Sequence, residues 1–263
     1  METGELQNTA SNYEIVRHLI EITLNEINGG FDKNELAFLS MEGKNEGQIR
    51  DKIAWRLHTL LEQSYPSQYL VIKEWKPKIK WNRERIDLAI LKMQDGNPIY
   101  VVALIEFKAQ SIVRPEKWYL EEFAHDVVKM CKFAHQDRLA TNADLYFVFL
   151  ETGQGANDTG KPYSQMLASL KYTSNTQYGT PEQLHSEMKK HFEQFPSHAE
   201  QTFEQRYNQT YYGFTLQENV PTNINTFEVQ PLGEIYQFIS CLGAFIWGPI
   251  KPNNINILTK IID

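Results

Sequence analysis

Residues 99–110 read IYVVALIEFKAQ. From Ile99 to Ile105 the run is apolar without a break, which marks a strand buried on both faces. Glu106 and Lys108 then follow, with Phe107 between them. Alternate residues of a strand share a face. The carboxylate and the ammonium therefore point the same way near the end of a strand whose approach is apolar. A carboxylate placed there is costly to desolvate unless something offsets its charge.

Just upstream, ERIDLAILKM (84–93) is a second strand candidate, and Asp95-Gly96-Asn97-Pro98 is a turn signal. A hairpin through that turn runs antiparallel. Counted back from a centre near Gly96–Asn97, it sets Asp87 beside residues 105–107, so two carboxylates come side by side. Adjacent carboxylates repel, and one is driven towards protonation unless a cation lies between them. A divalent cation resolves the conflict, and oxygen donors suit Mg²⁺ or Mn²⁺.

The rest of the chain frames this pair. A helix is predicted from Tyr13 to about Ile27, with Ile15, Leu19, Ile22 and Ile27 as its apolar stripe, ended by Gly29-Gly30. The first dozen residues read as frayed. A second helix opens at NEGQIRDKIAWRLHTLLEQ (45–63), with Asn45 as N-cap and Ile49, Ile53, Leu57, Leu60 and Leu61 buried. YLVIKEWKPKIKW (69–81) is a strand with Lys76, Lys78 and Lys80 on one side. EKWYLEEFAHDVVKMCKFAH (116–135) is a helix with Phe123, Val127, Met130 and Cys131 inward, and DLYFVFLE (144–151) is a buried strand. A further helix is predicted around Pro181–Gln205, a short strand at TYYGFTL (210–216), and a core-packing helix at LGEIYQFISCLGAFIW (232–247). Helices and strands in this order give an α/β sheet flanked by helices.

Composition bounds the class. The chain has 263 residues, 41% hydrophobic and 22% charged, as in ordinary globular proteins. No apolar run approaches the roughly 20 residues that a membrane-spanning helix needs. The start METGELQNTASNYEIV lacks the basic and apolar regions of a secretory signal. Cys131 and Cys241 are too few for a disulfide framework. The expectation is a reducing, cytoplasmic setting with no membrane partner. A net charge of −7 argues against broad, non-specific coating of nucleic acid and leaves a local basic groove open.

Asp87, an interval of 18 residues and then Glu106-Phe107-Lys108 resembles the PD-(D/E)xK nuclease superfamily, the restriction-endonuclease-like fold. The resemblance covers roughly residues 45–150. It implies that Asp87 and Glu106 ligate Mg²⁺ or Mn²⁺, that Lys108 activates or orients water, and that Glu46 on the preceding helix is a further metal or water ligand. Glu46 lies three residues before Ile49 and seven before Ile53, on the core-facing side of its helix. Ile86 stands where the name-giving proline would be. Gln110 on the strand's extension, and Asp126 and Lys129 on the following helix, are second-rank site residues.

The implied activity is metal-dependent hydrolysis of phosphodiester bonds, in DNA before RNA, in restriction, defence, repair or mobile-element processing. A homodimer would supply two active sites for cutting both strands. The alternative is a catalytically inactive module of the same fold that binds nucleic acid or protein. The bland reading of the motif itself is a solvated ion pair at a strand end, with Asp87 a surface acid.

Lys76, Lys78, Lys80, Arg83 and Arg85, with Trp75 and Trp81 interleaved, are either a phosphate-tracking surface or a lysine-guarded edge strand. The histidines form no zinc set, and no glycine-rich phosphate loop or nucleophile elbow occurs. Gly153-Gln154-Gly155 reads as a flexible loop, and Tyr207, Tyr211, Tyr212 and Phe214 as core or hairpin packing rather than base-stacking residues. The domain reading is a helical N-terminal extension (1–44), a nuclease core (45–150), a polar insertion or specificity region (151–230) and a C-terminal helix packed on the core (231–263).

Overall fold

The computed structural model describes residues 3–32, 35–36, 39, 46–76, 85–111, 116–156, 185–186, 189–190, 201–205, 210–216, 222–229 and 238–261. Helix α1 (Thr3–Asn25) and helix α2 (Glu46–Ser64) precede strands β1 (Tyr69–Trp75), β2 (Ile86–Gln94) and β3 (Asn97–Ser111). Helix α3 (Glu116–Gln136) and strand β4 (Asp144–Ala156) follow. Strands β5 (Gln201–Gln205), β6 (Thr210–Leu216), β7 (Thr222–Val229), β8 (Phe238–Ile250) and β9 (Ile255–Ile261) are the further strands among the described residues.

The main sheet has six strands in the order β1-β2-β3-β4-β8-β7. It is mixed: β3 and β4 run parallel, joined through α3, and the other neighbours are antiparallel. The continuous apolar runs of β3 and β4 follow from this central place, with side chains buried on both faces. Leu104, Phe147 and Phe149 pack with Val127, Met130, Cys131 and Phe133 of α3. On the opposite face Ile105, Phe107, Tyr146 and Val148 pack with Val16, Ile20, Ile49, Ile53 and Leu57 of α1 and α2. A second, three-stranded sheet, β5-β6-β9, adds Phe214 and Ile255 to the α3 side. Among the described residues no helix is long and apolar enough to cross a membrane.

Asp95 and Gly96 close the β2–β3 hairpin with φ of 50° and 75°. Positive φ at both central residues belongs to the tight turn whose twist matches the strands. The ladder leaves the turn with Gln94 opposite Asn97 and then shifts twice, between Lys92 and Met93 and between Ile90 and Leu91. Each shift spends one extra residue on β3, so Leu88 ends opposite Ile105. Without the shifts, Asp87 would lie opposite Leu104; with them it comes beside Glu106.

Several sequence expectations change. The run 232–247 was expected to be a helix, but its described part, from Phe238, is strand β8, held between β4 and β7. A continuous apolar run does not separate a buried strand from a buried helix, and here pairing on both edges decides. Residues 153–155 belong to β4, where Gly153 and Gly155 pair with Cys241 and Ile239, rather than to a loop. Residues 201–205 form β5 rather than the end of a helix.

Helix α1 starts at Thr3, so the first dozen residues are largely helical. Its buried stripe is Val16, Ile20 and Leu24, continued by Ile27 in the 3-10 turn Ile27–Gly30 that follows, whereas Ile15 is 44% exposed. Strands β7 and β8, drawn from the regions read as an insertion and a C-terminal helix, extend the central sheet. Asn45, and most of 151–200 apart from the first residues of that span, lie outside the described residues.

Candidate active site

Asp87 and Glu106 are brought together by the hairpin register and then tied by backbone hydrogen bonds. The Asp87 N–H donates to Glu106 Oε2 at 3.3 Å, and the Phe107 N–H donates to Asp87 Oδ2 at 2.8 Å. Phe107 and Ala109 turn their N–H groups to the same edge of β3, since alternate residues do so. Both lie past the Leu88–Ile105 rung of the ladder. Buried backbone donors need acceptors, and side chains supply them. Asp87 takes the first, and Glu46 at the start of α2 takes the Ala109 N–H at 2.8 Å. Two of the candidate acids are thus aimed by the strand that carries the third.

Cations gather on the same cluster. Arg50 lies four residues after Glu46 on α2 and places Nη1 at 3.3 Å from Asp87 Oδ1, with Glu74 also in contact. On α3, Lys129 bonds Glu106 and lies 3.2 Å from Asp126 Oδ1. Lys108 Nζ is 3.9 Å from Asp126 Oδ2. Glu106 and Asp126 are each only 8% exposed, so water screens these charges weakly.

Burial and the neighbouring Asp87 and Asp126 charges push the Glu106 carboxyl well above the usual range, against the pull of Lys129. Burial likewise raises Asp87, opposed by the Phe107 N–H, Lys129 and Arg50. Glu46 rises through burial and the charges of Asp87 and Asp126. For Asp126, burial is outweighed by the hydrogen bond from His125 and by Lys129 and Lys108, which hold its carboxyl below the usual range. Burial works against the Lys129 charge, yet Glu106 and Asp126 keep its pKa raised.

Asp87, Glu106, Lys108, Glu46, Asp126 and Lys129 therefore belong to one neighbourhood. The donor set is made of hard carboxylate oxygens, and three of them are held above their ordinary pKa by a low-dielectric setting short of positive charge. That chemistry fits Mg²⁺ or Mn²⁺. Among the described residues no three His, Cys, Asp or Glu side chains already converge as a metal cage. Lys129 and Arg50 stand against the carboxylates that such an ion would use.

Arg50 and Glu74 are the residues that sequence reasoning missed. The signal for Arg50 was its place four after Glu46, which puts both on one stripe of α2. Gln110 lies in β3 opposite Glu151, and its side chain is outside the described set. Of the basic stretch, Lys76 is exposed and Arg85 lies 3.7 Å from Glu74, so Arg85 flanks the same cluster. Lys78, Lys80, Arg83 and Trp81 lie outside the described residues. No protein-family model, no curated protein and no solved structure matches the chain.

Proposed function

We propose that the chain is a metal-dependent nuclease with a restriction-endonuclease-like core, hydrolysing phosphodiester bonds, in DNA before RNA. The observation that carries this reading is the pairing of Asp87 with Glu106 across β2–β3, with Lys108 two residues on along the same strand and Glu46 bonded to Ala109 beside them.

In this reading Asp87 and Glu106 hold Mg²⁺ or Mn²⁺, and Glu46 ligates the ion or its water. When bound, the ion polarises a phosphoryl oxygen and lowers the pKa of its water. Lys108 orients the attacking water and is itself braced by Asp126. Arg50 keeps Asp87 in place, and Lys129 does the same for Glu106. Lys76 and Arg85 supply phosphate contacts beside the site. One observation favours the rival, a non-catalytic module: Lys129 already provides Glu106 with a counter-charge.

The test incubates supercoiled plasmid, linear duplex and matched RNA with the protein in Mg²⁺, Mn²⁺ or EDTA. Metal-dependent cutting is expected to fall at least about 10²-fold in Glu106→Ala and in Lys108→Ala, with folding checked by circular dichroism. Absence of cutting together with absence of divalent-ion binding in titration calorimetry leaves the non-catalytic module.

A further inference from the structure

A cavity of about 360 Å³ opens away from these carboxylates, near the start of β3 and β4. That volume is within the range of small-molecule sites, roughly 300–1,000 Å³. Its wall is formed by Tyr13 of α1, Tyr100 of β3, the segment between α3 and β4 with Arg138, Leu139 and Asn142, and Lys251 after β8. Both charged residues of the lining are cations.

The wall is built rather than loose. Asp144 is 1% exposed and organises the side chains behind it. Its Oδ2 accepts from the Tyr13 hydroxyl at 2.7 Å, and its Oδ1 lies 2.7 Å from Lys251 Nζ. Lys251 also donates to the Tyr13 hydroxyl at 2.5 Å and to the Asn142 carbonyl at 2.8 Å. The segment before β4 is fixed by its own bonds, with the Val101 N–H donating to the Leu139 carbonyl at 2.7 Å and the Leu139 N–H to Asp137 Oδ1 at 2.9 Å.

The ammonium of Lys251 has its protons engaged, so it offers a fixed positive field more than a new hydrogen bond. Arg138 is exposed at the rim, and its guanidinium makes no ion pair among the described residues. A free guanidinium fork beside an amide and a second cation suits a phosphate. Tyr100 and Leu139 offer a flat, apolar surface for the body that carries it.

We propose that this cavity binds a small aromatic phosphate of the nucleoside monophosphate class, with the phosphate on Arg138 and the base against Tyr100. The inference rests on the cavity alone and stands whether or not the carboxylate site cuts nucleic acid.

Titration calorimetry on the full chain in EDTA, with adenosine 5′-monophosphate, adenosine, inorganic phosphate and the other three mononucleotides, tests it. Saturable mononucleotide binding is expected, at least about tenfold tighter than adenosine or phosphate alone. Arg138→Ala should weaken the mononucleotide at least about tenfold. Tyr100→Leu should weaken mononucleotide and nucleoside together, and Tyr100→Phe should restore both. Glu106→Ala should bind as the wild type does, which separates this site from the carboxylate cluster. No binding of any mononucleotide overturns the proposal, as does affinity unchanged by Arg138→Ala, or phosphate alone binding as tightly as the nucleotide.

Discussion

Two buried charge clusters sit on opposite faces of the β3–β4 pair. On the α3 face, Asp87, Glu106 and Asp126 meet Lys129 and Lys108, and Glu46 and Arg50 reach them from the start of α2. On the α1 face, one buried acid, Asp144, is shared by Arg17 at 3.4 Å, Lys251 at 2.7 Å and the hydroxyl of Tyr13, and Arg17 also reaches the more exposed Glu21 at 3.7 Å. In the β3–β4 register Asp144 stands opposite Ala103 and Glu106 opposite Phe147, three rungs apart, about 10 Å along the strands. The same sheet thus buries an acid twice with the imbalance reversed. The first cluster has fewer cations than buried acids, and the second sets two cations on its single buried acid. A metal ion would complete the one, and a phosphate would neutralise the other. A buried ion pair thus carries information in its remainder, the charge left over once its buried partners are counted.

The largest effect is expected from removing Lys129, the cation that two acids of the first cluster share. In EDTA, Lys129→Met should lose roughly 3–5 kcal/mol in urea unfolding, because two buried carboxylates lose their common partner. Mg²⁺ should restore more stability to this variant than to the wild type. An unchanged urea midpoint would mean that Lys129 balances nothing.

The mirror experiment removes the buried acid of the second cluster. Asp144→Asn takes the buried counter-charge from Lys251 and leaves Arg17 only the more exposed Glu21, and should cost roughly 3 kcal/mol, since both cations retain some access to water. Any nuclease activity per folded molecule should stay at the wild-type level, as the other face is untouched. Loss of cutting in a folded Asp144→Asn protein would show that the clusters are not independent.

Gly248 abuts this second end. Its φ is 133°, and an added Cβ would stand 2.5 Å from the Leu145 carbonyl oxygen. Gly248→Ala should therefore cost about 1–3 kcal/mol, read as a lowered melting temperature, with the carboxylate cluster unaffected.

The smallest effect is a slope. Burial raises the folded-state pKa of Glu106, Asp87 and Glu46 above the unfolded carboxylate value. The folded chain then holds protons that the unfolded chain has released. Their contribution to stability is complete below about pH 4 and is lost as pH rises through the raised folded values. In EDTA the melting temperature should drift down across that interval, and saturating Mg²⁺ should flatten the drift. Asp126, held below its usual value, acts in the opposite sense and only at lower pH. A drift identical with and without Mg²⁺ would separate these acids from metal binding.

Much of the carboxylate cluster was legible because its signals are local. An apolar run ending in Glu106 and Lys108, a turn at Asp95–Gly96 and an acid at Asp87 each follow from short-range rules. Asp126 and Lys129 were within reach because a helix joining parallel strands must pack across them. The second cluster was not legible. Tyr13, Asp144 and Lys251 are far apart in the chain, and nothing in their neighbours announces that they meet. Strand β8 was misread for a related reason, since its identity is settled by partners on both edges rather than by its own pattern. Ile15 shows the finer limit: the helical pattern puts it in the buried stripe together with Ile27, yet of the two only Ile27 is buried, and Val16 takes the place of Ile15. The two shifts in the hairpin left no mark in composition, yet they set which residue faces Asp87.

Those shifts bear on how such a chain can change by descent. A substitution along β3 alters one side chain and leaves the pleat as it was. Losing the unpaired residue at an irregularity, Ile99 or Val102, would let the ladder close there and leave Glu106 beside Asp87. Losing a residue from a regular stretch would instead turn everything beyond it by half a period, sending Glu106 and Lys108 to the α1 face and Phe107 to the α3 face. Between the turn and Glu106, the lineage is free to rewrite letters, and to drop one only where the ladder already steps.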